Sequence, residues 1–339
     1  MILVICGAGA SYDSVTALRG KVSPRRPPLA SELFTPDNEI VKAAIKQFPR
    51  CYDILPYLQQ VPEGQTLETK LQDMQNEAED DPVRKQQLAA VRYYLQLLIT
   101  RFQQHWEDEH SGVTNYRTFI DQLRRTHGSR LVCIVTFNYD CMIEEALRGS
   151  VGIKIDSLND YIADAAFKLF KLHGSVNWFR TVTAPFSKVN PQREETDLIK
   201  ELIQSAAEIK TGEFRLRNAC PIGKFEDTPV WPAIAIPVTT KGVFECPDEH
   251  LERLKQLLPE TERIVTIGWR GAERHFLDLL SAALSSRQLP MLAVAGDKAG
   301  AKEVFRNFGN AGIRVGRFDS EDGFSNTIVA RTIEDFCKR

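Results

Sequence analysis

The chain has 339 residues, a formal net charge of −2 and ordinary apolar and charged fractions of 43% and 26%. That is length for about two domains and a sizeable core, with no charge drive toward nucleic acid or an anionic membrane surface and no run of the ~18 apolar residues a membrane span needs. The seven cysteines are odd in number and form no C-x-x-C pair, so buried thiols in a reducing, cytoplasmic setting are expected rather than a disulfide framework or a metal site.

The opening run ILVIC (Ile2 to Cys6) is apolar and β-branched, as in a strand buried on both faces. It lacks a basic leader, so no signal peptide is expected. It stops at Gly7, Ala8, Gly9 and, two residues on, Ser11. Glycines there permit a sharp turn and close approach of a ligand, and where the turn opens a helix its amides favour a phosphate. Tyr12 stands where the dinucleotide fingerprint carries a third glycine, so phosphate binding and a tight structural turn both remain open. Asp13, just beyond, either meets a ribose or caps the next helix. The stretch TALRGKVSPRRPPLASELF, with three prolines, three arginines and a fourth proline just beyond it at Pro36, reads as an irregular lid following the turn.

From about Asp37 to His127 the pattern is helical throughout, an inserted subdomain. Its longest piece carries Leu88, Val91, Leu95, Leu98, Phe102 and Trp106 on one face. Pro82 suits a first helical turn, and Asp80 or Asp81 suits its cap. The apolar face either packs on the parent domain or contributes to a subunit interface.

Short apolar runs then recur: LVCIVTF from Leu131, FKLFKLHG from Phe167, AIAIP from Ala233, IVTIG from Ile264, MLAVAG from Met291 and RVGRF from Arg314. Most precede helix-like segments. The alternation predicts an α/β fold, a doubly wound, mostly parallel Rossmann-like sheet built from residues 1–36 and 128–339 around the helical insert at 37–127. A small polar insert near 180–229 reads as loop followed by a short helix. Ligands of such sheets bind at the carboxyl ends of the strands.

Two strand ends there carry polar groups. IVTFNYDCMIEEALRG places Thr136, Asn138 and Asp140 at a strand end, with a helix from Cys141 to Leu147 stopped by Gly149. Asn138 or Asp140 either caps that helix or faces a ligand. FKLFKLHGSVNWF puts His173, Gly174 and Ser175 at another end, where a histidine titrating near neutrality suits a general base.

GAGAS (Gly7 to Ser11), TFNYD (Thr136 to Asp140) and KLHGS (Lys171 to Ser175), followed by WPAIAIPVTTKGVF and IGWRGAERHF, resemble in order and strand context the sirtuin-like domains. The paired cysteines and PDFR-like stretch of protein-deacylating sirtuins are missing. GAGASYDS followed by RPPLASELF is similar instead to the sirtuin-like (silent information regulator-like) NADases of bacterial antiphage defence. The resemblance implies NAD+ as substrate, no metal, and catalytic roles for Asn138 and His173. It implies cofactor contacts at Gly7, Ala8, Gly9, Ser11, Asp13, Thr136, Asp140, Gly174, Ser175, Gly268 and Arg270. Arg270 stands where many relatives carry a cofactor-binding serine.

On this reading the chain releases nicotinamide and ADP-ribose. The turn amides grip the pyrophosphate, Asn138 orients a water or the ribose hydroxyls, and His173 takes a proton. The family's biology further implies a homo-oligomer and a regulatory protein partner such as a ring ATPase or an Argonaute-like sensor. Neither membrane nor direct nucleic-acid binding is expected. The rival readings are a deacylase or ADP-ribosyltransferase, and a non-catalytic regulator that binds NAD or ADP-ribose.

Overall fold

The structure, a computed structural model, describes residues 1–15, 26–35, 37–60, 65–110, 113–184, 194–217, 224–225, 228–238 and 244–338. In chain order the elements are β1 (Ile2–Cys6), α1 (Ala8–Tyr12), α2 (Glu39–Ile45), α3 (Pro49–Asp53), α4 (Leu55–Gln59), α5 (Leu67–Glu77), α6 (Pro82–His110) and α7 (Asn115–Thr126). Next come β2 (Val132–Thr136), α8 (Met142–Val151), β3 (Phe167–Lys171), β4 (Gly174–Ala184), α9 (Glu195–Gln204), β5 (Lys210–Leu216), β6 (Lys224–Phe225) and β7 (Thr228–Ile234). The chain closes with α10 (Asp248–Leu257), β8 (Arg263–Ile267), α11 (Arg274–Leu284), β9 (Gln288–Val294), α12 (Lys298–Asn310), β10 (Arg314–Ser320), α13 (Gly323–Val329) and α14 (Thr332–Lys338). They form two compact units: Met1–Pro27 with Gln103–His173 and Lys241–Arg339, and Pro28–Phe102 with Gly174–Thr240.

The first unit holds a six-stranded sheet in the order β10-β9-β8-β1-β2-β3, every neighbouring pair parallel. Renumbered along the chain this is 3-2-1-4-5-6 read from the β3 edge, the doubly wound order whose direction reverses between β1 and β8. Every residue of β1, β2 and β3 is buried, which is why these runs read as continuously apolar rather than alternating. RVGRF departs from the doubly buried strand expected of it. As β10 it is an edge strand, mostly exposed or half-exposed.

The end of α8 corrects a second expectation. Gly149 does not stop that helix, which runs to Val151 and ends at Gly152 in the left-handed conformation (φ 71°). Gly149 sits inside it against α7, where an added Cβ would come within 2.7 Å of the Arg117 guanidinium. None of the six described cysteines forms a disulfide, and all are buried. No helix among the described residues is long and apolar enough to cross a membrane.

The second unit holds an antiparallel sheet in the order β5-β4-β7-β6. Two sequence expectations fail here. Ala233 belongs to β7 of this antiparallel sheet, not to a parallel strand, and residues 180–229 contribute strands on either side of α9 as well as the short helix. The polar insert hid its strands because β5 has no buried residue and only two apolar ones, Phe214 and Leu216, too short a pattern to read as a strand. Gly174 is fixed by this sheet: at φ +78°, its added Cβ would lie 1.8 Å from the Ala233 carbonyl oxygen. Ser175 beside it is wholly buried.

Within the same unit α6 begins as its sequence indicates, with Asp81 Oδ1 accepting from the amides of Val83 (2.8 Å) and Arg84 (3.3 Å). Its apolar stripe, Leu88 through Phe102, is buried within the chain, each such leucine or phenylalanine contributing about 1.5–3 kcal/mol. Two buried polar side chains of α6 find sheet carbonyls: Tyr93 Oη donates to Val230 O (2.8 Å) and Gln96 Nε2 to Val176 O (3.0 Å). The lid expected up to Pro36 lies outside the described residues over 16–25 and at 36. Its end is anchored in the core: Leu33 and Phe34 are buried, Tyr94 Oη donates to Leu33 O and Phe34 packs 5.1 Å from the Tyr94 ring.

Candidate active site at the carboxyl edge of the parallel sheet

The carboxyl ends of β1, β2 and β8 continue as a backbone ladder beyond the strands. Gly7 N donates to Ile267 O (3.0 Å), Gly9 N to Gly268 O (3.1 Å), Phe137 N to Cys6 O (3.1 Å) and Leu172 N to Thr136 O (3.1 Å). The reversal point between β1 and β8 is therefore closed by backbone on backbone. Added Cβ atoms would lie 2.6 Å from Gly268 O at Gly7, 2.9 Å from Gly268 Cα at Gly9, and 2.2 Å from Ala10 N at Gly268, whose φ is +56°. Three glycines meet because no side chain fits between the two turns.

The same bonds limit which amides of the opening turn can meet a ligand. The amides of Gly7 and Gly9 are spent on β8's end and that of Ala10 on Gly7 O (2.9 Å), so the turn as a whole is not a free amide cradle. Ala8 is its exposed residue. The glycines answer to packing.

Asn138 is buried, 7% exposed, and its amide is anchored from β1. Nδ2 donates to Gly7 O (2.9 Å) and to Ser11 Oγ (2.8 Å), with Tyr116 Oη at 3.4 Å. A backbone carbonyl only accepts, so Gly7 O dictates which way the amide faces. Oδ1 is left as the outward group: among the described residues it takes no hydrogen bond, and it is not sealed from solvent. Thr136 supports the same turn, its Oγ1 donating to Cys6 O (3.3 Å) and accepting from Asn138 N (3.1 Å).

Ser11 lies 2% exposed between Asn138 and Tyr116, its Oγ 3.2 Å from Tyr116 Oη. Tyr116, on α7, is wholly buried. Burial pushes its phenol well above the usual value, and the nearby Cys6 and Asp140 push the same way. It is a neutral hydroxyl throughout the physiological range.

Asp140 sits one residue before the Cys141 N-cap of α8, its Oδ1 accepting from Met142 N (3.1 Å). The turn it ends is held from below by Lys171, the last residue of β3, whose Nζ donates to Asp140 O and pairs with Glu144 Oε1 at 2.8 Å. Burial alone would lower the Lys171 pKa, but the Glu144 carboxylate, with Cys141 and Asp140, outweighs it and holds the ammonium above its ordinary value. Tyr161 Oη donates to the same carboxylate oxygen (3.0 Å).

His173 follows β3, 6% exposed, with its ring centroid 4.8 Å from that of Phe137, the residue before Asn138. Phe137 also stacks on Trp269 (5.7 Å, 11°) and meets Phe276 edge-on (5.4 Å). This aromatic wall links the ends of β2, β3 and β8. Phe137 covers one side of the histidine ring.

Asp13 and Arg270 stand apart from this cluster. Asp13 caps neither the helix after the turn nor an open site: Oδ2 accepts from Ser325 N (3.0 Å) and Oδ1 from Ser325 Oγ (2.7 Å), tying it to α13. Arg270 is exposed, and its carbonyl accepts from Asn307 Nδ2 (2.9 Å). The structure thus joins Gly7, Gly9, Ser11, Thr136, Asn138 and Gly268 directly and seats His173 and Asp140 on the same strand ends. Sequence reasoning missed Tyr116, Lys171, Glu144 and Trp269. Lysine twice within the apolar run FKLFK was the one available signal. Tyr116 had none, lying amid an amphipathic helix.

No protein-family model and no curated protein matches the chain. It is similar to solved structures described as a Sir2 homolog–NAD complex (14% identity, covering 99% of this chain and 90% of that one, TM-score 0.40). It is also similar to a Sir2–p53 peptide–NAD+ structure (15%, 98% and 94%, TM-score 0.38). A third is Sir2 with an inhibitor, 2′-O-acetyl-ADP-ribose and deacetylated p53 peptide (12%, 100% and 95%, TM-score 0.40).

Proposed function

We propose that the protein hydrolyses NAD+ to nicotinamide and ADP-ribose, as an NAD+-depleting effector of bacterial antiphage immunity, with Asn138 and His173 as its catalytic residues. One observation carries the reading: the Asn138 amide is locked with its NH2 inward, on Gly7 O and Ser11 Oγ, so that a hydrogen-bond acceptor faces the carboxyl edge. The motif resemblance supplies the substrate class.

The chemistry follows from what each group offers. The reaction is NAD+ plus water giving nicotinamide, ADP-ribose and one proton. Nicotinamide leaves without being protonated, so the protein must support an oxocarbenium-like sugar and guide one water. Asn138 Oδ1 accepts a hydrogen from that water or from a ribose hydroxyl, and so orients it without becoming charged. His173, shielded by Phe137, takes the released proton. Acceleration comes mainly from positioning and fixed dipoles in a water-poor setting.

In the same proposal Ala8 and Arg270, the exposed members of the expected cofactor set, contact the dinucleotide. Gly7, Gly9 and Gly268 act through backbone shape. An uncontrolled hydrolase of NAD+ poisons its host, so the proposal includes a homo-oligomer and a regulatory protein partner in the cytoplasm.

The test is incubation of the purified protein with NAD+, alone and with its co-purifying partners, with nicotinamide and ADP-ribose resolved by chromatography. Release without any acylated peptide is expected, and Asn138→Ala and His173→Ala should each lower it about 10²- to 10⁴-fold. Strict dependence on an acylated peptide overturns the hydrolase in favour of a deacylase. NAD+ binding without nicotinamide release overturns it in favour of a regulator.

A further inference from the structure

Helix α7 reaches the reacting edge through the hydroxyl of Tyr116. Tyr116 Oη lies 3.2 Å from Ser11 Oγ and 3.4 Å from Asn138 Nδ2, and the side chain is wholly buried. No other hydrogen-bond partner of this hydroxyl exists among the described residues. A buried phenol placed on two polar side chains is costly unless it serves them.

The start of α7 is pinned where it must be for this contact. Thr114 Oγ1 accepts from Arg117 N (3.3 Å) at the helix start. Asn115 N donates to Ser14 O (3.0 Å) and Asn115 Nδ2 to Asp13 O (2.6 Å), both just past α1. The Tyr116 ring itself packs against Phe324 at 5.5 Å. Its hydroxyl is therefore held by the fold, independently of Asn138.

Asn138 Nδ2 has two hydrogens. Gly7 O takes one, and the other lies between Ser11 Oγ at 2.8 Å and Tyr116 Oη at 3.4 Å. Gly7 O selects the face of the amide. The Ser11–Tyr116 pair sets its tilt, and with it the direction of Oδ1.

We propose that Tyr116 is a positioning residue for Asn138, acting through Ser11 to aim the Asn138 Oδ1 acceptor. The inference rests on the reading of Asn138 as catalytic. Tyr116 touches neither substrate nor the reacting atoms, so removing its hydroxyl should lower the rate of the bound complex and leave NAD+ affinity unchanged.

The experiment is a double-mutant cycle on the full chain, with Tyr116→Phe, Asn138→Ala and the pair, reading kcat and KM separately for NAD+. Tyr116→Phe should lower kcat about 3- to 10-fold, the size of one hydrogen bond, with KM unchanged. In the Asn138→Ala background the same change should do nothing more. A purely structural tyrosine would cost the same in both backgrounds, and that result overturns the proposal. A second readout needs no turnover: the side-chain amide resonance of Asn138, assigned by its loss in Asn138→Ala, should move in Tyr116→Phe and in Ser11→Ala. An unmoved resonance overturns the positioning role. A wild type that cleaves no NAD+ overturns the proposed reaction instead, and leaves this amide resonance to decide the role of Tyr116.

Discussion

Replacing Asn138 by aspartate changes one NH2 for an oxygen and leaves the shape intact. In the wild type that nitrogen stands 2.9 Å from Gly7 O and 2.8 Å from Ser11 Oγ at a site 7% exposed. The carboxylate would set a charged oxygen against a carbonyl oxygen that already accepts from Ala10 N. Ser11 can turn its own proton to the new acceptor, so that contact survives. The Gly7 contact becomes repulsive, and leaving a buried acceptor without its donor costs about 1–3 kcal/mol, more when charge is involved. A loss of about 2–4 kcal/mol near neutral pH is expected.

The sign of the pH dependence distinguishes this cause from plain misfit. Burial beside an acceptor raises the folded-state pKa of the introduced carboxyl above its unfolded value of about 3.9. The folded state then binds more protons than the unfolded state between those two values, so stability falls as pH rises through that window. Below it, a protonated carboxyl can donate to Gly7 O, and the penalty shrinks. Urea midpoints of wild type and variant, measured side by side from about pH 4 to about pH 8, give the difference free of other titrations. A variant as stable as wild type at neutral pH, or a deficit that does not shrink on acidification, refutes the assigned amide orientation.

Gly9→Val should act on the fold rather than on ligand affinity. Its Cβ would meet Gly268 Cα at 2.9 Å and O at 3.0 Å, and overpacking of about 1–3 kcal/mol exceeds the few tenths of a kcal/mol of helix preference that valine recovers over glycine. A lowered thermal midpoint without NAD+ is the expected result, and weaker NAD+ binding at unchanged stability would contradict it. Lys171→Met leaves Glu144 buried without its cation and should cost about 3–5 kcal/mol, whereas Lys171→Met with Glu144→Leu should recover most of it. Denaturant unfolding of the three variants checks this, and a double variant no better than the single one would show that the pair is not what holds the turn.

Much of the sheet was written in local pattern. ILVIC, LVCIVTF and IVTIG are runs without alternation, and such runs survive only where both faces are covered. Their polar ends therefore fall at one edge, which is how Asn138, Asp140 and His173 became legible as candidates. The stripe on α6 was legible for the same reason, since a period near 3.6 needs no knowledge of the partner. The glycines were legible as a turn but not in their cause. Gly7 and Gly9 face Gly268, more than 250 positions along the chain, and only the reversal between β1 and β8 brings the two turns together. The strands of the antiparallel sheet stayed hidden because β5 offers only Phe214 and Leu216 as an apolar face, set in a polar insert. What tertiary structure alone decided is the state of each polar group at the edge. Asp13 is taken by Ser325, Lys171 by Glu144, and the Asn138 amide by Gly7 and Ser11 under Tyr116. A side chain's chemistry is set by its residue type, but which of its atoms remains available is set by neighbours distant in sequence, and no local pattern encodes them.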